Sequence, residues 1–432
     1  MIYFSFKVIT MSNIQIDHSS LHGTVEVPPS KSDVHRALIC AALAKGRSVI
    51  SPVAFSQDIL ATIDCIKALG AEVTAEGGKL TVDGTNTFCA ENAALHCRES
   101  GSTVRFMIPV AAAGGVSSVF TGSGRLPKRP LGLYETLLPA HGVSCKTPGG
   151  LPFEISGKLT PGVFEVPGDI SSQFITGLLF ALPLLGEDSE IRLTSPLQSK
   201  GYIDMTLDAM RRFGVCAEER GGSYFVKGGQ SYTPCEYKTE GDWSQAAFFL
   251  VGASLGGDVT VAGLREDSRQ GDREIVDLLR RFGASVESIP GGVRCKAREL
   301  HGIEIDASQI PDLVPVLSVC GAYAEGETRI YNAQRVRLKE SDRLAAMKNA
   351  LSSCGADIEE TADGLLIHGK PTLSGGFAEG CNDHRIVMSM AIAALRSENP
   401  ITVSDKESIT KSYDAFFEDY TSLGGRNGSL NE

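Results

Sequence analysis

Long apolar runs, an excess of positive charge and paired cysteines are all missing from this chain. No stretch approaches the roughly 18 consecutive apolar residues of a membrane-spanning helix, so no membrane partner is expected. A formal net charge of −11 opposes a general nucleic-acid binder, because affinity for a phosphate backbone comes from clustered cations. Small acidic substrates stay compatible with that charge where basic residues gather locally. Eleven cysteines, an odd number with no C-x-x-C pair, argue against a disulfide framework and a zinc ribbon, and a reducing, cytoplasmic setting is expected. No G-x-x-x-x-G-K-[ST] occurs and His384 stands in no metal-ligand spacing, so neither a P-loop nor a metal is expected, and no cofactor. The first ten residues are apolar around Lys7 and lack the basic start and cleavage site of a secretory leader. They are set aside, with Met11 a second candidate start.

What the chain does have is a hidden period. Glycines that close helices recur about every 70 residues, at Gly70, Gly142, Gly214, Gly283, Gly355 and Gly424. A parallel ladder of helix-starting residues, Ser30, Ser100, Asp169, Asp242, Asp312 and Asp383, precedes apolar runs such as Phe106-Met107-Ile108 and Ile386-Val387-Met388. Short β-rich stretches follow, as in Val259-Thr260-Val261, and then second helices over Tyr202 to Phe213, Arg273 to Phe282 and Asp342 to Ser353. Six copies of one unit alternating strands and helices predict α/β layers. Six units exceed a single core, which stops growing near roughly 250 to 300 residues. Two halves of three repeats are therefore expected, 30–240 and 241–432, with the break near Pro234 to Gly241 and segment 11–29 packing onto the second half.

Helix starts carry the chemistry. Pro29-Ser30-Lys31-Ser32-Asp33-Val34-His35-Arg36 sets two cations and a hydroxyl around free backbone N–H groups, the makings of an anion site. Ser100-Gly101-Ser102-Thr103-Val104-Arg105 repeats the arrangement, and Ser171, Ser172 and Gln173 offer two hydroxyls and an amide at a third start. Three loops are basic: 124–129 with Arg125, 199–202 with Ser199 and Tyr202, and 335–343 with Arg335, Lys339 and Arg343. Lys339 and Arg343, four apart, share one face of a helix start, where uncompensated cations oppose the dipole and suggest a bound anion. Asp312 and Glu340 are the acid/base candidates, although an Asp before a helix is most often a cap. His384 and Arg385 stand at the sixth start.

Six of these segments, in order, resemble the 5-enolpyruvylshikimate-3-phosphate synthase family. They are Pro-Ser-Lys-Ser-x-x-x-Arg at 29–36, Glu-Ser-Gly-Ser-Thr-x-Arg at 99–105, Arg-x-x-x-Arg-Pro at 125–130, Gly-Asp-Ile-Ser-Ser-Gln-Phe at 168–174, Lys-Glu-Ser-Asp-Arg at 339–343 and Asn-Asp-His-Arg at 382–385. The resemblance implies a two-domain inside-out α/β (α+β) barrel of six βαβαββ repeats, three per domain, with helix N-termini aimed into the cleft. It implies an enzyme that moves the enolpyruvyl group of phosphoenolpyruvate onto the 5-hydroxyl of shikimate 3-phosphate and releases phosphate, and a target of glyphosate; a monomer is expected. By that resemblance Ser32, Arg36, Ser171, Ser172, Ser199 and Tyr202 hold shikimate 3-phosphate, and Lys31 and Gln173 reach both substrates. Gly101, Arg125, Arg343, Arg385 and Lys411 hold phosphoenolpyruvate, with His384 beside them. Asp312 is the base at the hydroxyl, Glu340 the acid/base at the methylene carbon, and Lys339 a positive stabiliser. Two departures stand out: Glu99-Ser100-Gly101-Ser102-Thr103 where many relatives read Asn-Ala-Gly-Thr-Ala, and Arg335 where some place an Asn.

Two other readings compete. The sister transferase that acts on UDP-N-acetylglucosamine shares the fold, but it carries a Cys in the loop occupied here by Gly122 to Arg129, which has none. A non-catalytic repeat scaffold explains the period without requiring Asp312, Glu340, Lys411 and the basic starts together. Cations facing each other from two halves repel, so a bound polyanion is expected to close the cleft.

Overall fold

The computed structural model describes residues 12–429; Met11 and the ten residues before it lie outside the described residues. Six four-stranded sheets form its framework. In one of them Asn92–His96 runs parallel to Ser117–Thr121, which pairs antiparallel with Phe153–Gly157, itself antiparallel to Val143–Lys146. Parallel strands need a long crossover, and the helix Gly101–Gly114 supplies it. The same βαβαββ order recurs around the helices Ser172–Ala181 and Val314–Tyr323. All six ladder glycines lie in the left-handed region, with φ between 79° and 108°, where a side chain would be strained.

Six crossover helices fill two cores. Lys31–Leu43, Gly101–Gly114 and Ser172–Ala181 belong to one apolar cluster spanning 34–237. Trp243–Ser254, Val314–Tyr323 and His384–Ala393 belong to the other, spanning 14–27 and 243–423. Every residue of the last three is buried, which is why they read as apolar all round rather than amphipathic.

Two strands are exchanged between the halves, a feature the period conceals. His22–Glu26 leads into Lys31–Leu43 but pairs parallel with Asp258–Ala262; Glu236–Lys238 leads into Trp243–Ser254 but pairs parallel with Arg47–Ser51. The chain therefore crosses twice, and the crossings lie side by side: Ser30 N–H donates to Glu240 O at 2.7 Å, and Asp242 N–H to Pro28 O at 3.0 Å. Buried Asp33 pins the pair, accepting from Tyr237 Oη at 2.5 Å and Glu240 N–H at 3.1 Å. Ile14–Asp17 lies between Ile401–Val403 and Arg426–Ser429.

The ladder of helix starts needs three corrections. Ser100, Asp242 and Asp383 do cap their helices through side-chain oxygens. Ser30 turns its hydroxyl to Gln270 instead, and Ser171, rather than Asp169, caps Ser172–Ala181 because Asp169 accepts from Ser195 Oγ. Asp312 is no cap either: Leu313 precedes the helix, and the Asp312 carboxylate is taken by side chains. Lys339 and Arg343 do not share a helix face, since Gln334–Leu338 is a 3-10 turn, Lys339 is extended, and the α-helix begins at Arg343. Among the described residues no helix is long and apolar enough to cross a membrane.

Candidate active site

One cavity takes residues from both cores, and most of the sequence-selected side chains meet there. From the 34–237 side and its entry helix come Lys31, Ser32, Arg36, Gly101, Ser171, Ser172, Gln173, Ser199 and Tyr202; from the other come Asp312, Arg335, Lys339, Glu340, Arg343, His384 and Arg385. Helix starts converge because each crossover helix leaves its sheet at the same end. Ser102 and Arg105 of the second predicted helix start also line it, as do Asp58, Arg129, Ser244 and Ser412, to which no role was assigned from sequence. Arg125 does not. The 3-10 turn Leu126–Lys128 leaves Arg125 exposed and turns Arg129 inward, where it is 7% exposed with an unpartnered buried Nε. The repeated Arg four residues on, fixed by Pro130, was the available signal.

Arg343 is the hub of the carboxylates. Only 1% exposed, it donates from Nη1 to Asp312 Oδ1 at 2.8 Å, from Nη2 to Glu340 Oε2 at 2.7 Å and from Nε to Asp383 Oδ2 at 2.9 Å. Asp312 also accepts from Tyr202 Oη at 2.7 Å and pairs with Lys339 Nζ at 3.3 Å and Arg385 Nη2 at 3.6 Å. Burial opposes its charge, but Arg385, Lys339 and Arg343 outweigh burial and hold it well below the usual carboxylate range. Glu340 is held down in the same way, burial again outweighed, by Arg343 and by Arg129, whose Nη1 lies 3.8 Å from Oε1. Both acid/base candidates are therefore ionised near neutral pH. His384 is buried with no hydrogen-bond partner on either ring nitrogen among the described residues, its Nδ1 3.8 Å from Asp383 Oδ1, and burial and Lys31 keep it neutral.

A second group of cations makes no such direct ion pairs. Among the described residues no carboxylate oxygen pairs with Arg36, Arg105 or Arg335. Arg36 gives its donors to Thr206 Oγ1, Ser32 O and Tyr202 O and lies over the rings of Phe106 and Tyr202. Burial lowers its pKa to about 10 and that of Arg105 to about 9, so both stay charged at neutral pH. Arg105 Nη1 orients Gln173 Oε1 at 2.7 Å, and Gln173 Nε2 reaches Ser102 Oγ at 3.0 Å. Arg335 donates to Ser199 Oγ at 3.0 Å and Ser308 O at 2.8 Å, so it bridges the halves. Carboxylates reach these cations only from beyond ion-pair distance, Asp33 for Arg36, Glu340 for Arg105 and Asp312 for Arg335, and buried cations in hydroxyl-lined space without direct ion pairs are what a polyanion site requires. The expected repulsion between facing cations is reduced by carboxylates, since Lys31 pairs with Asp58 at 3.0 Å and Lys339, Arg343 and Arg385 pair with Asp312, but Arg129 of the first half still acts against the charge of Lys339.

The comparisons decide the family. The model for EPSP synthase (3-phosphoshikimate 1-carboxyvinyltransferase) matches residues 16–420. The chain belongs to this family. It is 44% identical over 426 residues to the 3-phosphoshikimate 1-carboxyvinyltransferase of Clostridium novyi, covering 96% of this chain and 98% of that one. It is 45% identical over 419 residues to that of Clostridium perfringens, covering 96% and 99%. A solved EPSP synthase from Acinetobacter baumannii superposes with a TM-score of 0.81 at 28% identity, covering 98% of this chain and 100% of that one. The two-domain α/β architecture is that of this family. As a member of the EPSP synthase family the chain is a transferase.

One family-site neighbour carries a stability prediction. Asp272 is 3% exposed, accepts from Ser244 Oγ, and has an unpartnered Oδ1. Burial, with the Asp312 charge adding to it, pushes its carboxyl up to about 7. A carboxyl raised in the folded state costs nothing below its unfolded pKa and destabilises progressively as pH rises toward the folded value. Asp272→Asn is expected to leave the melting temperature unchanged near pH 4 and to raise it at pH 8, by about 1 to 3 kcal/mol of stability. A thermal melt showing equal changes at both pH values overturns this.

Proposed function

We infer that the chain transfers the enolpyruvyl group of phosphoenolpyruvate to the 5-hydroxyl of shikimate 3-phosphate and releases phosphate. The observation that carries the site assignment is the juxtaposition of two ionised carboxylates, Asp312 and Glu340, on one buried Arg343 beside cations that make no direct ion pair. Shikimate 3-phosphate is assigned to the side of Ser32, Arg36, Ser171, Ser172, Ser199 and Tyr202. Phosphoenolpyruvate is assigned to Gly101, Arg129, Arg343 and Arg385, with Lys411 at the rim and Arg129 taking the place assigned by sequence to Arg125.

The reaction then follows from charge. The substrate hydroxyl displaces Tyr202 Oη from Asp312, which accepts its proton as oxygen attacks C2. Glu340 must arrive protonated to deliver a proton to C3, and the substrate anion brings this about by engaging Arg129 and Lys339, weakening the field that keeps Glu340 ionised. Once it has given up the proton, Glu340 takes one back from C3 as the C2–O bond to phosphate breaks, and Asp312 returns its proton to the leaving phosphate. We assign the halves to two domains, the molecule to a monomer and its location to the cytoplasm. Phosphate release from the two named substrates by the purified chain tests the reading. Release with UDP-N-acetylglucosamine instead favours the sister activity, and release with neither favours a scaffold.

Gly101 sets the phosphoenolpyruvate side. A Cβ added there would stand 2.5 Å from Arg129 Nη1 and 2.6 Å from its Cζ. A guanidinium at the end of a flexible side chain moves aside, so Gly101→Ala is expected to swing Arg129 out of place rather than unfold the chain. The expected outcome is a KM for phosphoenolpyruvate raised about 10-fold, the worth of one charge-assisted contact, with that for shikimate 3-phosphate little changed. Glyphosate, competitive with phosphoenolpyruvate, is expected to weaken with it. Steady-state kinetics in both substrates check this, and a selective loss of shikimate 3-phosphate affinity refutes it.

A further inference from the structure

Lys411 is 8% exposed, yet its ammonium does not line the cavity. Nζ donates to Glu99 Oε2 at 3.0 Å and to Asn382 O at 2.7 Å, leaving its third N–H. Glu99 comes from the opposite half, 312 residues away, and its Oε2 also accepts from Asn382 Nδ2 at 3.4 Å. The first half builds a seat for this carboxylate. Arg98 is left-handed at φ 49° and is tied to Gln57 and Asp64, while Ser123 N–H holds Arg98 O at 2.7 Å. Across from it, a Cβ on Gly124 would lie 2.4 Å from the Glu99 carboxylate and push it from this position.

We propose that Glu99 is a positioning residue that draws Lys411 across the gap between the halves and aims its remaining N–H at the phosphoenolpyruvate side of the cavity. The proposal rests on the assignment of that anion to the cavity edge next to Gly101 and Arg129. Its physical content is a buried ammonium that needs a counter-charge to stay in place, and a carboxylate that repels the substrate anion whenever Lys411 is not there to neutralise it. The role of Glu99 therefore changes sign with its partner.

A double-mutant cycle reads that change. Glu99→Gln keeps size and an acceptor oxygen but removes charge; it is expected to raise the KM for phosphoenolpyruvate about 5- to 20-fold, with kcat and the KM for shikimate 3-phosphate within about 2-fold. In the Lys411→Gln background the same change is expected to lower the KM for phosphoenolpyruvate, because it removes an uncompensated carboxylate. Glu99→Asp, which keeps the charge, is expected to recover part of the loss, and melting curves of each variant establish that it is folded. Effects that simply add, or a Glu99→Gln enzyme with unchanged KM, overturn the proposal while leaving the reaction intact. A parent protein that releases no phosphate from the two substrates overturns the site reading itself.

Discussion

Replacing Asp312 with Asn is expected to lower kcat by about 10²- to 10⁴-fold, the contribution of a positioned general base. The substitution keeps shape and an acceptor oxygen for Tyr202 but removes the charge that receives the hydroxyl proton. Read from sequence, the competing role for Asp312 was a helix cap, which Asn fills about as well as Asp. The structure removes that alternative, since Leu313 precedes the helix and the carboxylate faces Arg343, Lys339 and Arg385. The same contacts alter the expected stability. Removing one member of a buried ion pair costs roughly 3 to 5 kcal/mol, but Glu340 and Asp383 remain on Arg343, so a loss of about 1 to 3 kcal/mol is expected at neutral pH. Because the folded-state pKa of Asp312 is depressed, its contribution is present above the unfolded value near 3.9 and is lost as pH falls through the lower folded value. Cations freed from Asp312 also hold anions more tightly, so the KM for phosphoenolpyruvate is expected to stay level or fall. Single-turnover kinetics with a kcat within about tenfold of the parent remove Asp312 from the chemistry and leave Glu340 as the first candidate.

How much of this was legible in the sequence depends on the range of the interaction. The closing glycines were legible because a left-handed residue is a local demand, and all six satisfy it. Caps were half legible: Asp242 and Asp383 look like Asp312, and only tertiary partners take Asp312 away from capping and give its carboxylate to Tyr202 and Arg343. Arg125 and Arg129 are equivalent in composition and differ by one 3-10 turn, so the period could not choose between them. The exchanged strands were illegible. His22–Glu26 and Glu236–Lys238 stand where the repeat wants them in sequence, and nothing local says that each pairs in the other half. Charge balance was the largest blind spot, because Asp58, Glu99 and Asp383 reach their cations through space. A count of basic helix starts therefore suggested more free positive charge than the cavity contains.

Arg343 is where that balance is most concentrated, and its loss is expected to have the largest combined effect. Arg343→Met leaves Asp312, Glu340 and Asp383 facing one another in a buried site, at a cost of roughly 3 to 5 kcal/mol. Arg343→Lys is the more informative change, because an ammonium keeps the charge but cannot span three carboxylates with one planar fork. A fall in kcat/KM of about 10²- to 10³-fold is expected, as for loss of one preorganised electrostatic group. The direction of the pH effect follows from the same contacts. Arg343 is among the charges that hold both Asp312 and Glu340 down, so weakening it raises both pKa values. Asp312 must be ionised to accept the hydroxyl proton, so the acid limb of the kcat/KM profile is expected to move to higher pH in Arg343→Lys. Stability lost on substitution is expected to be greatest at neutral pH and to shrink as pH falls below about 4, where the carboxylates of the unfolded chain protonate. An acid limb that stays in place while activity falls would show that Arg343 acts only by binding substrate, and the carboxylates would then owe their ionisation to Arg385, Lys339 and Arg129 alone.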